Sequence, residues 1–292
     1  MKPKTSPKSS KPALFEKLVF KIASKWVAGY SINDALKSAK MANSNGMNAI
    51  INYLGEHRES LKDIEAGVKE YLTILDEMEK LQIKGGISPK LTQIGLEKDY
   101  DLSINNASRI IELAKQLNRF VWLDMESSLY LNDTIEIYLR LLNHYHKVGL
   151  AFQAYLKNAS DRLIQILVHG GKVRLVKGAY REDSNVVFRS KYTVDRNYSK
   201  LMRLLFQQGK EFAIATHDQK LIEEAIKLSK KYPKKFEFQM LKGIRDDLKP
   251  ALIKQGFSLS EYIPYGKQVI PYSFRRIKEK PSNILLLARS LF

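Results

Sequence analysis

No cysteine occurs in the 292 residues. That excludes disulfides, iron–sulfur clusters, thiolate metal sites, c-type haem attachment and a cysteine nucleophile. Long apolar runs are also missing. Stretches such as Ile284 to Ala288 fall far short of the roughly 20 residues a membrane-spanning helix needs. No G-x-G-x-x-G follows a strand-like run, against a Rossmann dinucleotide site, and no Walker A sequence is present. The opening MKPKTSPKSSKP has neither the apolar core of a secretory signal nor the arginines of a transit peptide. Residues 1–12 are therefore expected to form a disordered basic tail, and a cytoplasmic location is expected. Acidic side chains are the scarcer charge, 31 Asp and Glu against 49 Lys and Arg, a net +18. Such an excess suits nucleic acid, an anionic membrane surface or acidic substrates. Because the lysines are spread over the whole chain, a solvated surface accounts for them without any of these.

What is present divides by periodicity. Leu14, Phe15, Leu18, Val19, Ile22 and Trp26 recur at helical spacing up to Gly29. Ser31 with Asp34 resembles a capping box for a second helix, which Asn43 to Gly46 breaks. Leu61, Ile64, Val68, Tyr71, Leu72, Leu75 and Met78 mark a third, ending by Gly85-Gly86. Residues 13–86 thus read as an N-terminal helical arm. From residue 87 short apolar strands alternate with helices: ISPKLTQIG, FVWLDME, GLAFQAYL, VRLVKGAY, EFAIAT, FEFQML and FSLSEYIPYG. This alternation indicates parallel β/α units. Seven strands can be placed and an eighth would close a barrel. A distorted (β/α)8 TIM barrel over 87–292 suits the pattern better than an open sheet, because a chemically unusual residue lies near the C-terminal end of nearly every strand.

Those residues are Lys90, Asp124 with Glu126, Gln153, Arg174 with Lys177 and Tyr180, Thr216 with His217, Gln239 and Tyr262. Singly each has a structural explanation; Arg174 and Lys177 could each be paired with a carboxylate on the strand rim. A ring of them at one barrel face would make a polar pocket. VRLVKGAY, with two cations and an aromatic at a strand end, would suit a planar, partly anionic ligand. No metal set emerges, and His144 and His146 read as surface histidines. Near the C-terminus, PYSFRRIKEKPSN places Arg275 and Arg276 about 100° apart on a helix. They could flank one small anion. Equally, Arg275 could pair with Glu279 at i,i+4 for a few tenths of a kcal/mol while Arg276 is solvated.

Taken together in order, K-L-T-Q-I-G, L-D-M-E, Q-A-Y-L, V-R-L-V-K-G-A-Y, A-T-H, F-E-F-Q-M-L-K-G-I-R, Y-I-P-Y-G and Y-S-F-R-R-I-K-E resemble the proline dehydrogenase family. These are flavin enzymes on a distorted (β/α)8 barrel. The match runs from about Ile87 to Asn283; any one motif is weak and the ordered set is specific. The resemblance implies that Lys90, Arg275 and Arg276 bind the substrate carboxylate. It implies that Tyr180, Leu241, Tyr262 and Tyr272 pack around the ring, that Asp124 orients Lys90, and that Glu279 holds the arginine helix. Gln153, Arg174, Lys177, Gly178, Ala179, Thr216 and His217 fall where the family contacts FAD.

The implied reaction is L-proline to Δ1-pyrroline-5-carboxylate, with hydride passing to flavin N5 and electrons then to a quinone-type acceptor. That acceptor implies transient membrane contact on the inner face of the cell membrane. The length leaves no room for an aldehyde dehydrogenase domain, so a separate pyrroline-5-carboxylate dehydrogenase is expected downstream. Ser127-Ser128 stand where the family usually has Asp-Ser, which puts a contact made by that Asp in doubt. Tyr262 is the aromatic form of a position that hydroxyproline-preferring relatives make smaller, so proline is the expected substrate. The competing readings are a nucleic-acid-binding protein, resting on charge alone, and a barrel lyase using Lys90 or Lys177 as a Schiff-base lysine.

Overall fold

The computed structural model describes residues 25–268. Eight parallel strands close into a barrel in sequence order, with helices packed outside. Helix α1 (Ile32–Ser44) precedes β1 (Asn48–Tyr53), and α2 (Leu61–Lys80) leads to β2 (Gly85–Ile87). Then come α3 (Tyr100–Gln116), β3 (Phe120–Leu123), α4 (Leu131–His144) and β4 (Val148–Gln153). Next are α5 (Ala159–Val168), β5 (Val173–Val176), α6 (Lys191–Gln208) and β6 (Glu211–Ile214). The described part ends with α7 (Gln219–Lys231), β7 (Lys235–Leu241), α8 (Lys249–Lys254) and β8 (Ser258–Tyr265).

The strand that sequence alone leaves unplaced is β1, and it corrects the all-helical reading of residues 13–86. NAIINY pairs with β2 on one side and along its whole length with β8 on the other, from Asn48 opposite Ser260 to Tyr53 opposite Tyr265. Helices α1 and α2 therefore flank a barrel strand. Gly85 and Gly86, expected as a helix stop, belong to β2. A Cβ at Gly86 would lie 1.9 Å from the Phe120 carbonyl oxygen, so only glycine lets β3 approach there. Residues 1–12 and most of the segment Leu14 to Trp26, expected to be helical, lie outside the described residues.

Local sequence explains the helix starts. The Ser31–Asp34 capping box is formed: Ser31 Oγ accepts from the Asp34 amide at 3.3 Å and Asp34 Oδ2 from the Ser31 amide at 3.0 Å. The Ser60 and Ser190 hydroxyls likewise cap α2 and α6, accepting from the Asp63 and Thr193 amides at 3.0 and 3.1 Å. On α2 the buried stripe is Ile64, Val68, Tyr71, Leu75 and Met78, whereas Leu61 is exposed. From Val68 onward that stripe joins the main core between helices and barrel.

A second, small core fills the barrel itself, with Ile50, Trp122 and Ala213 packed beside Phe120 and Tyr262. Gly149 on β4 makes room for it, because a Cβ there would lie 2.3 Å from the Trp122 ring. Beside this cluster the barrel interior is polar, and toward the C-terminal ends of the strands the polar groups gather around Asp124.

Candidate active site

Asp124, one residue past β3, is the hub. Its carboxylate accepts from Tyr262 OH at 2.7 Å, from Lys90 Nζ at 3.3 Å and from Ser88 Oγ at 3.1 Å. It also pairs with Arg174. Lys90 reaches it because the KLTQIG turn is pinned to the LDME segment. Glu126 accepts from the Thr92 amide at 3.0 Å and from Thr92 Oγ1 at 2.6 Å. Lys90 and Asp124 themselves form a backbone bridge. Gln93 completes the lock, accepting from Tyr71 OH at 2.9 Å and donating to the Tyr53 carbonyl at 3.1 Å. These two motifs thus fold against one another to present an ammonium to a carboxylate.

Arg174, at the middle of β5, points into the barrel and is 3% exposed. Its guanidinium lies over Trp122 at 5.4 Å and over Tyr262 at 5.3 Å, a double cation–π contact. It donates to Ser88 Oγ at 2.9 Å and to Gln239 Oε1 at 3.3 Å. Its position is the barrel interior and not the rim. Tyr180 donates to Glu56 Oε1 at 3.1 Å, and that carboxylate also lies 3.5 Å from Lys90 Nζ.

The electrostatics follow from burial against pairing. Burial penalises the Asp124 carboxylate, yet Lys90, Arg174 and the hydroxyls of Tyr262 and Ser88 outweigh it and hold its pKa below the usual value. Burial equally opposes the Lys90 ammonium, but Tyr180, Asp124, Tyr262 and Glu56 raise its pKa well above that of a free lysine. A permanently charged Lys90 is the opposite of what Schiff-base chemistry requires. For Glu126 burial wins, and its carboxyl is pushed up.

Several other expected residues lie apart from this hub. Lys177 pairs with Asp195 and with Asp218 at 3.0 Å, the carboxylate-paired arrangement that was the plainer account of the strand rim. Thr216 Oγ1 accepts from the Asp218 amide at 3.2 Å and so shapes the turn into α7. His217 Nε2 accepts from the Leu241 amide at 3.0 Å, which places its ring proton on Nδ1. Gly178 has φ +106°, and a Cβ there would lie 2.4 Å from Tyr155; the chain turns sharply there between strand and loop. His144 is exposed beside Glu112, and His146 lies beyond α4. Tyr272, Arg275, Arg276 and Glu279 lie outside the described residues.

Sequence reasoning did not single out Glu56 or Ser88, which contact the Lys90–Asp124 cluster. Glu56 had a usable signal: it follows β1, so recognising NAIINY as a strand would have put Glu56 at a C-terminal strand end with the others.

The sequence matches the family described as proline dehydrogenase over residues 35–287. The chain belongs to the proline dehydrogenase family. It is 34% identical to proline dehydrogenase 1 of Bacillus subtilis over 272 residues, 92% of this chain and 90% of the relative. It is 31% identical to proline dehydrogenase of Deinococcus radiodurans over 281 residues, 94% and 91% of the two chains. Its fold is similar to that of proline utilization A from Bdellovibrio bacteriovorus, whose crystal structure is of the protein inactivated by N-propargylglycine. The TM-score is 0.83 at 22% identity, over 91% of this chain and 33% of that one. The chain therefore spans about a third of that protein's length. Membership in this family makes an oxidoreductase of proline catabolism the reading that the chain supports, over the nucleic-acid and lyase alternatives. No helix among the described residues is long and apolar enough to cross a membrane.

Proposed function

We propose that the chain oxidises L-proline to Δ1-pyrroline-5-carboxylate with FAD as its cofactor, on the pocket formed by Lys90, Asp124, Arg174, Tyr180, Leu241 and Tyr262. The observation that carries this is the buried Lys90–Asp124–Arg174 constellation roofed by Tyr262. Two side-chain atoms there suit a flavin. Gln153 Oε1, an acceptor, and Arg174 Nε, a donor, are buried with no partner among the described residues. A heterocycle edge with alternating N–H and carbonyl groups would satisfy both. Gln153 and Arg174 would hold the ring system, with Lys177, Gly178, Ala179, Thr216 and His217 around the rest of the cofactor. Bound FAD would supply the hydride acceptor.

The residues of the chain do the binding and orienting. Glu56 and Asp124 already balance Lys90 and Arg174, so a substrate carboxylate brings an unmatched negative charge into the pocket. Lys90 alone does not match it. Arg275 and Arg276 would supply the missing charge as a partly bidentate clamp. Packing of Tyr180, Leu241, Tyr262 and Tyr272 would exclude water around the ring. Burial next to several cations would lower the pKa of the substrate amine, leaving the neutral form whose lone pair assists hydride loss; no strong protein base is needed. Glu279 would steady the helix bearing the arginines.

Electrons would leave through a quinone-type acceptor, with the net charge of +18 favouring transient contact with an anionic bilayer from the cytoplasmic side. The product would pass to a separate pyrroline-5-carboxylate dehydrogenase. Steady-state kinetics test the clamp. Arg275→Ala and Arg276→Ala should each raise KM for proline by about tenfold to a hundredfold, the loss of one charge-assisted bond. Normal KM in both variants would refute the assignment.

A further inference from the structure

Branched apolar side chains usually fill a barrel of this kind, yet here a polar column runs along the interior. At the N-terminal end of the strands Glu211 bridges Lys172 at 2.6 Å and Lys235 at 2.7 Å. On β7, Glu237 accepts from Ser260 Oγ at 2.6 Å and from Gln239 Nε2 at 2.5 Å. Gln239 Oε1 accepts from Arg174 Nη1 at 3.3 Å, and Arg174 joins Asp124 and Ser88 at the pocket floor.

We propose that Glu237 is a positioning residue that fixes, through Gln239, how Arg174 faces the active site. The argument is one of donors and acceptors. A guanidinium only donates and a carboxylate only accepts, whereas an amide has one end of each kind. With Glu237 on its NH2 side, Gln239 must turn its oxygen to Arg174; the reverse orientation would set N–H against N–H. Without Glu237 the amide is free to turn, and Arg174 loses the acceptor that opposes the pull of Asp124 and Ser88. Ser260, 2% exposed, holds the other carboxylate oxygen and so fixes the plane of the group. Burial and Glu211 on β6 push the Glu237 carboxyl up while Ser260, Gln239 and Arg174 on β5 oppose them, and its oxygens accept from Gln239 and Ser260.

This inference rests on the placement of Arg174 in the active site, and its test separates the two. The chain has two tryptophans; Trp26→Phe leaves Trp122, on which Arg174 stacks, as the sole reporter. In that background Glu237→Met, which has no acceptor, should shift Trp122 emission. It should also lower kcat for proline about fivefold to tenfold, the effect of losing one hydrogen bond, with KM within about twofold. Glu237→Gln keeps an acceptor and should restore both readings. Adding Glu237→Met to Gln239→Met should change nothing further, because the two act in series. Additive effects, or Glu237→Gln as damaging as Glu237→Met, would overturn the proposal. Should Glu237→Met fail to fold, Gln239→Met decides: emission unchanged from Trp26→Phe alone overturns it. A shifted emission with unaltered kcat would sink the catalytic placement of Arg174 while leaving the coupling intact.

Discussion

Asp124 is the residue on which the pocket's charge balance turns. Asp124→Asn would leave Lys90 and Arg174 buried without their shared counter-charge. Breaking such a buried pair from one side costs about 3–5 kcal/mol, to be read as a fall in denaturant midpoint, with a loss of turnover alongside. Tyr262 acts at the same scale. Its hydroxyl anchors to Asp124 Oδ2 and its ring covers Arg174, so the side chain is held in place beside the proposed substrate site. Tyr262→Ser should raise kcat/KM for 4-hydroxyproline relative to proline; equal rates of the wild-type enzyme on both substrates would refute the steric account. Asp218 supplies a pH signature. Burial pulls its carboxyl up, but Lys177 and Lys191 lower it from 3.8 to about 2. A depressed carboxyl stabilises the fold above its unfolded pKa and loses that contribution as pH falls through its folded pKa. Lys177→Met should therefore lower the thermal midpoint at neutral pH, and the difference from wild type should shrink as pH falls toward 2.

At the scale of the element, the strands after residue 87 were legible because each is a short apolar run between helical stretches. β1 was not. NAIINY is just as apolar, but it lies between two strongly periodic helices and opens next to the NSNG break, which reads equally well as a helix–helix turn. Only its pairing with β8, which closes the barrel between sequence-distant segments, distinguishes it, and no local pattern carries that. The site followed the same rule. Lys90, Asp124, Arg174 and Tyr262 stand in motifs and could be named as candidates, and the fold brings them together. Glu237 and Ser88 look like ordinary strand residues and acquire meaning only from the column they join. Gly149 gives a test of interior packing. Gly149→Ala would drive a methyl into the Trp122 ring, and overpacking of this kind costs about 1–3 kcal/mol. A denaturant curve should show that loss, with a shifted Trp122 emission.

For the whole molecule, the barrel brings eight strand ends into one ring, and among the described residues that ring carries paired charges and no cluster of metal-ligating side chains. On the proposed function, such a pocket would grip a small amino-acid carboxylate and a flat cofactor, with the protein orienting and the cofactor accepting electrons. The visible spectrum of the purified enzyme, followed by anaerobic addition of L-proline, tests this most directly. The account predicts a flavin absorption band that bleaches when proline is added. A colourless protein that gains no band with added FAD, or a flavin band that proline leaves unchanged, would contradict it.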